Sequence, residues 1–430
     1  NLALKKLKPS DSEGKKLGKF CGELEKIVKD LGYESVVVGS VGKKTWLAGN
    51  HDIDLFVFFD KTTTREELEK KGLEIGKKVA KKLKCKNIVK YAEHPYTQIL
   101  KGTSKNILKI DIVPCYKIEK GEKIISAVDR SPLHLRYISD TLGPDLRDDV
   151  RLLKQFMKGI GVYGSDVRNQ GFSGYLCELL LIEYRSFNNV LGAVAGWNAP
   201  VRIDIGEAKS TTRFSGPIVI VDPVDINRNA AAAVSAENLQ RFISKTREFV
   251  KKPNMGFFFP PVEKLSETDI AKLKKRGTKI IALVLKKPDE IDDIVWPQMR
   301  RAVSRISGIL RHDDFIVKRT HEFADDKNAY LIFELAVWQL PAIKKMVGPP
   351  IYAKNHVEEF LAKYNRPAFG PRVEGDVWVA EKYREFKNSK DLVTNFLRKK
   401  VGALAEAGIP EKLSHNLAKA RILEDDSFWK

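Results

Sequence analysis

Apolar residues recur along the chain with two periods, and the switches between them outline the elements. Pro9-Ser10-Asp11-Ser12-Glu13 reads as a helix start, with Ser10 as cap and Glu13 three residues on, as in a capping box; the helix runs to about Leu31 and stops at Gly32. Short runs rich in Val, Ile and Phe read as strands at 35–38, 53–59, 87–91 and 107–113, and a basic amphipathic helix fills 65–83. That order predicts a small α+β domain ending near residue 140. Helical periodicity dominates 145–255, at 148–158, 173–187 and 237–251, and a loop-rich stretch containing Asp222-Pro223 separates the last two. Phe257-Phe258-Phe259 before Pro260-Pro261 reads as a boundary. Beyond it come a second capping signal at Ser266–Asp269, a strand at 278–285, a helix at 297–311 and strands at 315–320 and 329–335. This β-α-β-β order predicts half of a ferredoxin-like unit. From about Val357 the chain is basic and helical in character, without a clear fold signal.

Composition narrows the class of molecule. A chain of 430 residues is too long for one compact core, so two to four domains are expected. With 43% hydrophobic and 31% charged residues it reads as folded and globular rather than disordered. Lys and Arg number 76 against 56 Asp and Glu, a formal charge of +20 that favours a polyanionic partner, although a lysine-rich solvated surface explains the surplus equally well. The cysteines, Cys21, Cys85, Cys115 and Cys177, form no Cys-x-x-Cys pair and have no histidine at ligand spacing; neither zinc nor a disulfide framework is indicated, and a cytoplasmic location is expected. Apolar runs such as 280–285 fall far short of the ~20 residues a membrane helix needs, so no membrane is expected. The sequence opens at Asn1 without a leader's apolar stretch, and the missing initiator Met points to a trimmed start.

The chemistry concentrates around Gly39-Ser40 and Asp52-Ile53-Asp54. Side chains alternate along a strand, so Asp52 and Asp54 project from one face. Paired carboxylates repel, and a divalent cation relieves that repulsion; hard oxygen ligands of this kind suit Mg²⁺, which takes its remaining ligands from water and phosphate. Asp111 supplies a third carboxylate between Ile110 and Ile112, inside an apolar strand. An isolated Asp-x-Asp is more often a solvated strand face. Here a Gly-Ser turn able to hold a triphosphate precedes it and a third acid follows, a set that fits two-metal nucleotidyl transfer.

Gly-Ser, then Asp-x-Asp, then a lone strand Asp resembles the nucleotidyltransferase superfamily that includes DNA polymerase β. Further segments, in order, are Tyr91-Ala92-Glu93-His94-Pro95-Tyr96, Asp111-Ile112-Val113-Pro114-Cys115-Tyr116, Ser126-Ala127-Val128-Asp129-Arg130, Val150-Arg151-Leu152-Leu153-Lys154, Gly171-Phe172-Ser173-Gly174-Tyr175-Leu176-Cys177-Glu178 and Val221-Asp222-Pro223-Val224-Asp225 with Arg228-Asn229. Together they resemble the archaeal (class I) CCA-adding tRNA nucleotidyltransferases over roughly 30–350. The resemblance implies an α+β multidomain fold: a polymerase β-like mixed-sheet catalytic head over 1–140, a helical neck completing the nucleotide pocket over 141–255, and a ferredoxin-like α/β body with a helical tail over 256–430 that binds tRNA. It implies template-independent addition of C, C and A to the tRNA 3′ end from CTP and ATP, with pyrophosphate released and two Mg²⁺ bound.

By the same resemblance Asp52, Asp54 and Asp111 are the metal-binding catalytic carboxylates, Asp52 standing where relatives commonly have Glu. Gly39 and Ser40 fall in the triphosphate-binding turn. Lys43 stands where the family has Arg and would meet phosphate as a point charge. Ser131, His134, Lys154 and Tyr163 fall at nucleotide-binding positions, and Arg228 matches a residue that reads the incoming base. Each has an ordinary alternative: His134 closing a turn, Lys154 on a solvated helix face, Tyr163 in packing, Arg228 paired with Asp222 or Asp225. His51, Cys115 and Cys177 receive no role. Arg300, Arg301, Arg305 and Arg311 lie on one predicted helix, with Arg301 and Arg305 four apart on one face, as RNA-binding candidates. A homodimer remains open. Rival readings are another polymerase of the superfamily, such as a poly(A) polymerase or oligoadenylate synthetase, and an RNA-binding protein with a dead catalytic head; the intact acids argue against the second.

Overall fold

The computed structural model describes residues 2–49, 52–91, 93–103, 106–206, 210–261, 266–365 and 368–424, so His51 lies outside the described residues. The chain divides into two compact units, 1–262 and 263–430. The first opens with α1 (Leu2–Leu7) and α2 (Asp11–Lys29). Ser10 caps α2 as expected, its hydroxyl accepting from the Glu13 N–H at 3.1 Å. The Glu13 carboxylate accepts from the Gly49 N–H, tying the helix start to a distant loop.

A five-stranded sheet follows: β1 (Ser35–Val37), β2 (Ile53–Phe59), β3 (Lys86–Tyr91), β4 (Pro95–Thr103) and β5 (Asn106–Tyr116). The one-turn helix α3 (Gly39–Gly42) follows β1, and α4 (Arg65–Lys82) follows β2. The strand order is β1-β2-β5-β4-β3, and only β2 and β5 run parallel. Sequence parity decides the faces. Ile53, Leu55, Val57 and Phe59 of β2 and Ile110 and Ile112 of β5 are buried in one core with residues of α2 and α4. Their neighbours Asp54, Phe56, Asp111, Val113 and Cys115 therefore face the other way, where Val38, Phe56, Val113 and Cys115 form a small cluster.

The second half of this unit holds α5 (Arg130–Thr141), α6 (Leu146–Gly159), α7 (Gly174–Tyr184), α8 (Phe187–Gly196) and α9 (Ala236–Lys251), around a core containing Phe156, Phe172, Leu179 and Phe242. The helix expected over 173–187 is two: Arg185 takes the left-handed conformation (φ 68°) and Ser186 caps α8. The stretch expected as loop carries α8 and a small sheet, β6 (Val201–Asp204), β7 (Ile218–Asp222) and β8 (Asp225–Asn229), in the order β6-β7-β8. β6 alternates over only four residues, too short a run to stand out, and β7 is buried on both faces and so shows no period-two pattern. The triple-Phe segment packs on the core of the first unit, which ends just beyond it at residue 262. Phe258 packs edge-on to Phe156 at 5.7 Å, and the Gln155 side-chain amide donates to the Phe258 carbonyl at 2.6 Å.

The second unit contains α10 (Glu267–Lys274), β9 (Lys279–Lys286), α11 (Asp292–His312), β10 (Ile316–Ala324) and β11 (Asn328–Val337). It continues through β12 (Ile343–Pro350), α12 (Lys354–Lys363), β13 (Phe369–Glu374), β14 (Val377–Tyr383), α13 (Ser389–Leu397), α14 (Val401–Glu406), α15 (Glu411–Leu417) and β15 (Arg421–Glu424). The main sheet has the order β10-β11-β9-β15 with every pairing antiparallel, which completes the ferredoxin-like arrangement. Its last strand arrives only after an insertion bearing a second sheet, β12-β14-β13. The segment beyond Val357, expected to be helical, therefore carries three strands, β13, β14 and β15, among its helices. Helix α11 starts five residues before Pro297, not at it; Asp292 and Asp293 in its first turn offset the missing proline N–H by favouring the helix dipole.

Candidate active site

Strand pairing brings the carboxylates together. Asp54 on β2 and Asp111 on β5 are direct register partners across the parallel pair, and both point away from the α2 and α4 core. Asp52 precedes β2 with the same parity and is exposed. Burial, then repulsion from Asp111 and Asp52, pushes the Asp54 carboxyl up to about 7 against the opposing charge of Lys43. Burial also raises Asp111, a rise opposed by the Gln98 amide, which donates to its Oδ1 at 2.9 Å, and reinforced by Asp52.

Among the described residues no three acidic, His or Cys side chains converge into a ready-made cation cage. The donor chemistry nonetheless fits a hard divalent cation: oxygen-only ligands, two of them in register, with repulsion that a cation would relieve.

Gly39 makes the close approach possible. It sits at φ 62°, and a Cβ there would lie 2.1 Å from Asp54 Oδ2. One turn later the chain meets a buried ionic cluster. Lys43 Nζ donates to Glu178 Oε2 at 2.8 Å and lies 4.8 Å from the Tyr175 ring centroid. Thr45 donates its hydroxyl to Glu178 Oε1 at 2.7 Å. Lys154 on α6 donates to the Thr45 carbonyl (3.2 Å), the Thr45 hydroxyl (2.9 Å) and Glu178 Oε1 (3.2 Å), which engages all three of its N–H groups. Glu178 on α7 is buried; burial would raise its carboxyl, but the two lysines outweigh it and bring it down to about 2. One carboxylate thus holds two ammonium groups and leaves one net positive charge.

A second buried acid, Asp222 at the end of β7, organises another group. It accepts from Arg228 Nη1 (2.6 Å), the Tyr175 hydroxyl (3.0 Å) and the Val224 N–H (3.1 Å), and lies 2.9 Å from His134 Nε2. His134 stacks on Tyr175 with centroids 3.8 Å apart. Burial lowers the His134 pKa against the pull of Asp222, so the ring is neutral at pH 7. Arg130 pairs with Asp225 at 2.8 Å.

Asp52, Asp54 and Asp111 line one cleft of about 740 Å³ with Gly39, Ser40 and Lys43. Ser131, His134, Lys154 and Tyr163 line the same cleft. Arg228 does not; it lines a neighbouring cavity of about 810 Å³ that shares Ser131, His134 and Tyr175. Sequence reasoning gave no role to Glu178, Tyr175 or Lys158, the last lining the cleft with its ammonium 5.2 Å from the Tyr163 ring centroid; it named Asp222 only as an alternative partner of Arg228, and that ion pair is present at 2.6 Å. The available signal for Glu178 was the one that exposed Asp111, an acid inside an apolar run. In the second unit Arg301 and Arg305 are exposed on α11, and the Arg305 Nε donates to the Ala407 carbonyl.

Three family descriptions match in succession: a nucleotidyltransferase domain over 18–134, the second domain of tRNA nucleotidyltransferase over 148–259, and the C-terminal domain of the CCA-adding enzyme over 276–413. The CCA-adding enzyme of Methanosarcina acetivorans is 39% identical over 406 residues, covering 92% of this chain and 88% of that protein. Those of Methanococcus maripaludis (38% over 415 residues, 93% and 91%) and Methanocaldococcus jannaschii (39% over 382 residues, 84% and 83%) are similarly related. With a third or more of the residues identical along nearly the whole length of both proteins, the chain belongs to the family of CCA-adding tRNA nucleotidyltransferases.

Proposed function

We propose that this chain adds C, C and A in turn to the 3′ end of tRNA, taking CTP and then ATP without a nucleic-acid template. The observation that carries the reading is the single cleft where the register-paired Asp54 and Asp111, the Lys43–Glu178–Lys154 cluster and His134 meet. The 3′-hydroxyl gives up its proton to solvent as its oxygen bonds to the α-phosphorus, the α–β phosphoanhydride breaks, and pyrophosphate leaves with its electron pair. Asp52, Asp54 and Asp111 would hold two Mg²⁺ ions, which when bound acidify the attacking hydroxyl and neutralise phosphate charge.

The remaining work falls to side chains. The Ser40 hydroxyl and the Lys43 ammonium, which keeps a donor beyond its Glu178 bond, hold the triphosphate. Lys154, saturated in the present arrangement, acts on phosphate by exchanging one of its bonds. Tyr163 lines the cleft beside it, while Ser131 and His134 lie where it meets the cavity of Arg228, which reads the base edge. Labour divides along the chain: residues 1–140 form the catalytic head, 141–255 the neck that completes the pocket, and 256–430 the body and tail that grip the tRNA through Arg301 and Arg305. The free thiols of all four cysteines accord with a cytoplasmic enzyme, and none of the described helices is long and apolar enough to cross a membrane.

Incubation with tRNA lacking CCA, Mg²⁺ and each labelled NTP, followed by sequencing of the 3′ ends, tests the reading. Ends of CCA and nothing longer are expected. Homopolymeric A or U tails would replace it with another polymerase of the superfamily.

A further inference from the structure

The wall between the two cavities has an organising group that the reaction as described leaves unused. Asp222 is fully buried, yet its carboxylate faces four polar groups drawn from three elements and its own turn: His134 of α5, Tyr175 of α7, Arg228 of β8 and the Val224 N–H. A buried carboxylate is costly unless its lone pairs are met, and here both oxygens are doubly engaged. Its partners are unlike one another in exposure. The Arg228 side chain remains 36% exposed while Asp222 shows 0%, so the pair is anchored at one end and open at the other. The contact uses Nη1 alone, leaving the remaining guanidinium N–H groups for another acceptor. His134 is held in turn by the same Oδ2 and by the face of Tyr175.

The geometry points to Asp222 as a positioning residue for nucleotide choice: it fixes Arg228 and His134 at one angle to each other, so that a base edge meets two pre-set groups rather than two mobile ones. This rests on the reading of Arg228 as the group that meets the base. The guanidinium is planar, but its long side chain has many rotamers; a bond from Nη1 to a rigid acceptor restricts them, and Asp222, sitting at the end of a fully buried strand, is rigid. Pre-organisation matters most for telling similar bases apart, because a floppy donor adapts to the wrong edge as readily as to the right one. Asp222 touches no substrate in this scheme and acts through Arg228 and His134.

Asp222→Asn keeps the shape but turns an amide toward either Arg228 or Tyr175, loosening the hold. Relative kcat/KM for CTP, ATP, UTP and GTP should be measured for Asp222→Asn, Arg228→Ala and the double variant on tRNA ending before CCA and on tRNA ending in CC. Discrimination against UTP and GTP should fall roughly tenfold in Asp222→Asn, within the range of one base-edge contact. The double variant should discriminate no worse than Arg228→Ala alone, since the aspartate has nothing left to position. Should Asp222→Asn fail to fold, Asp222→Glu retains the charge, displaces the carboxylate by one methylene and answers the same question. If Arg228→Ala blurs base choice while the Asp222 variants slow all four nucleotides equally, Asp222 is only structural and the inference falls. If Arg228→Ala leaves base choice intact, the reading of Arg228 falls, and the inference with it.

Discussion

At the scale of single residues, the site depends on one missing side chain and one buried charge. Gly39 is where the turn after β1 passes under the Asp54 carboxylate. Gly39→Ala sets a Cβ 2.1 Å from Asp54 Oδ2 and also strains a positive φ, so the carboxylate must move. Misplacement of a reacting group by about 1 Å typically costs about 100-fold in turnover. Steady-state assays should show that loss in kcat, with tRNA affinity by filter binding unchanged within a few-fold. Glu178 is the charge. Replacing it with Gln leaves Lys43 and Lys154 buried around a neutral amide, and breaking a buried pair in this way typically costs about 3–5 kcal/mol. A lowered melting temperature is expected, with a raised KM for both CTP and ATP. The pH dependence has a definite sign. The folded carboxyl titrates at about 2 against 4.5 when unfolded, so its contribution is complete above about pH 4.5 and drains away as pH falls toward 2. Acid unfolding of the parent should be steeper across that window than acid unfolding of Glu178→Gln; parallel curves would show that Glu178 is not ionised in the fold.

At the scale of elements, α11 presents a divided face. Val295, Met299, Ala302, Val303, Ile306 and Leu310 are buried, and Arg301 and Arg305 stand on the exposed side. They are not equivalent, because Arg305 already donates to the Ala407 carbonyl just past the end of α14. Arg301→Ala should therefore raise KM for tRNA several-fold and leave the melting temperature alone. Arg305→Ala should do both, losing a charged hydrogen bond worth about 1.5–3 kcal/mol. Calorimetry beside tRNA titration separates the two; equal melting temperatures would show that the Ala407 contact carries no stability. The same contrast explains what could be read from the sequence. Elements with a long apolar stripe, such as α2, α4, α6 and α9, and apolar strands such as β2 and β5, were legible, and parity alone put Asp52 and Asp54 on a common face; the parallel pairing that sets Asp111 beside Asp54 was not legible. Strands β12 and β13 were not, because every residue in them is exposed or only half-buried and no apolar alternation marks them. Nor was the Lys43–Glu178 bond, which joins residues 135 apart: periodicity is a local signal, and an ion pair between two elements leaves no trace in either.

At the scale of the molecule, the formal charge of +20 must be reconciled with a substrate pair of very different size. In the proposed reading a nucleoside triphosphate would enter a cleft where Lys43 and Lys154 are buried and bound to Glu178 and mobile salt screens poorly. A tRNA would meet exposed arginines and lysines, and each neutralised phosphate would release condensed counterions. The two affinities should respond differently to ionic strength. Between 50 and 200 mM salt, a protein making about six phosphate contacts loses on the order of 10³ in affinity, with a log–log slope near −0.9 per contact on duplex DNA and somewhat less on single strands. The Kd for tRNA lacking CCA should follow a slope of that order, while KM for CTP at saturating tRNA should shift by no more than a few-fold. Filter binding across a salt series, paired with initial rates at matched ionic strength, measures both. A shallow tRNA slope would mean that the surplus charge is a solvated coat and that affinity comes from shape and stacking; a steep CTP response would mean that the lysine cluster opens to solvent when the nucleotide enters. Arg301→Ala links this scale to the previous one, since removing one phosphate contact should flatten the tRNA slope by about 0.7–0.9 and leave the CTP response where it was.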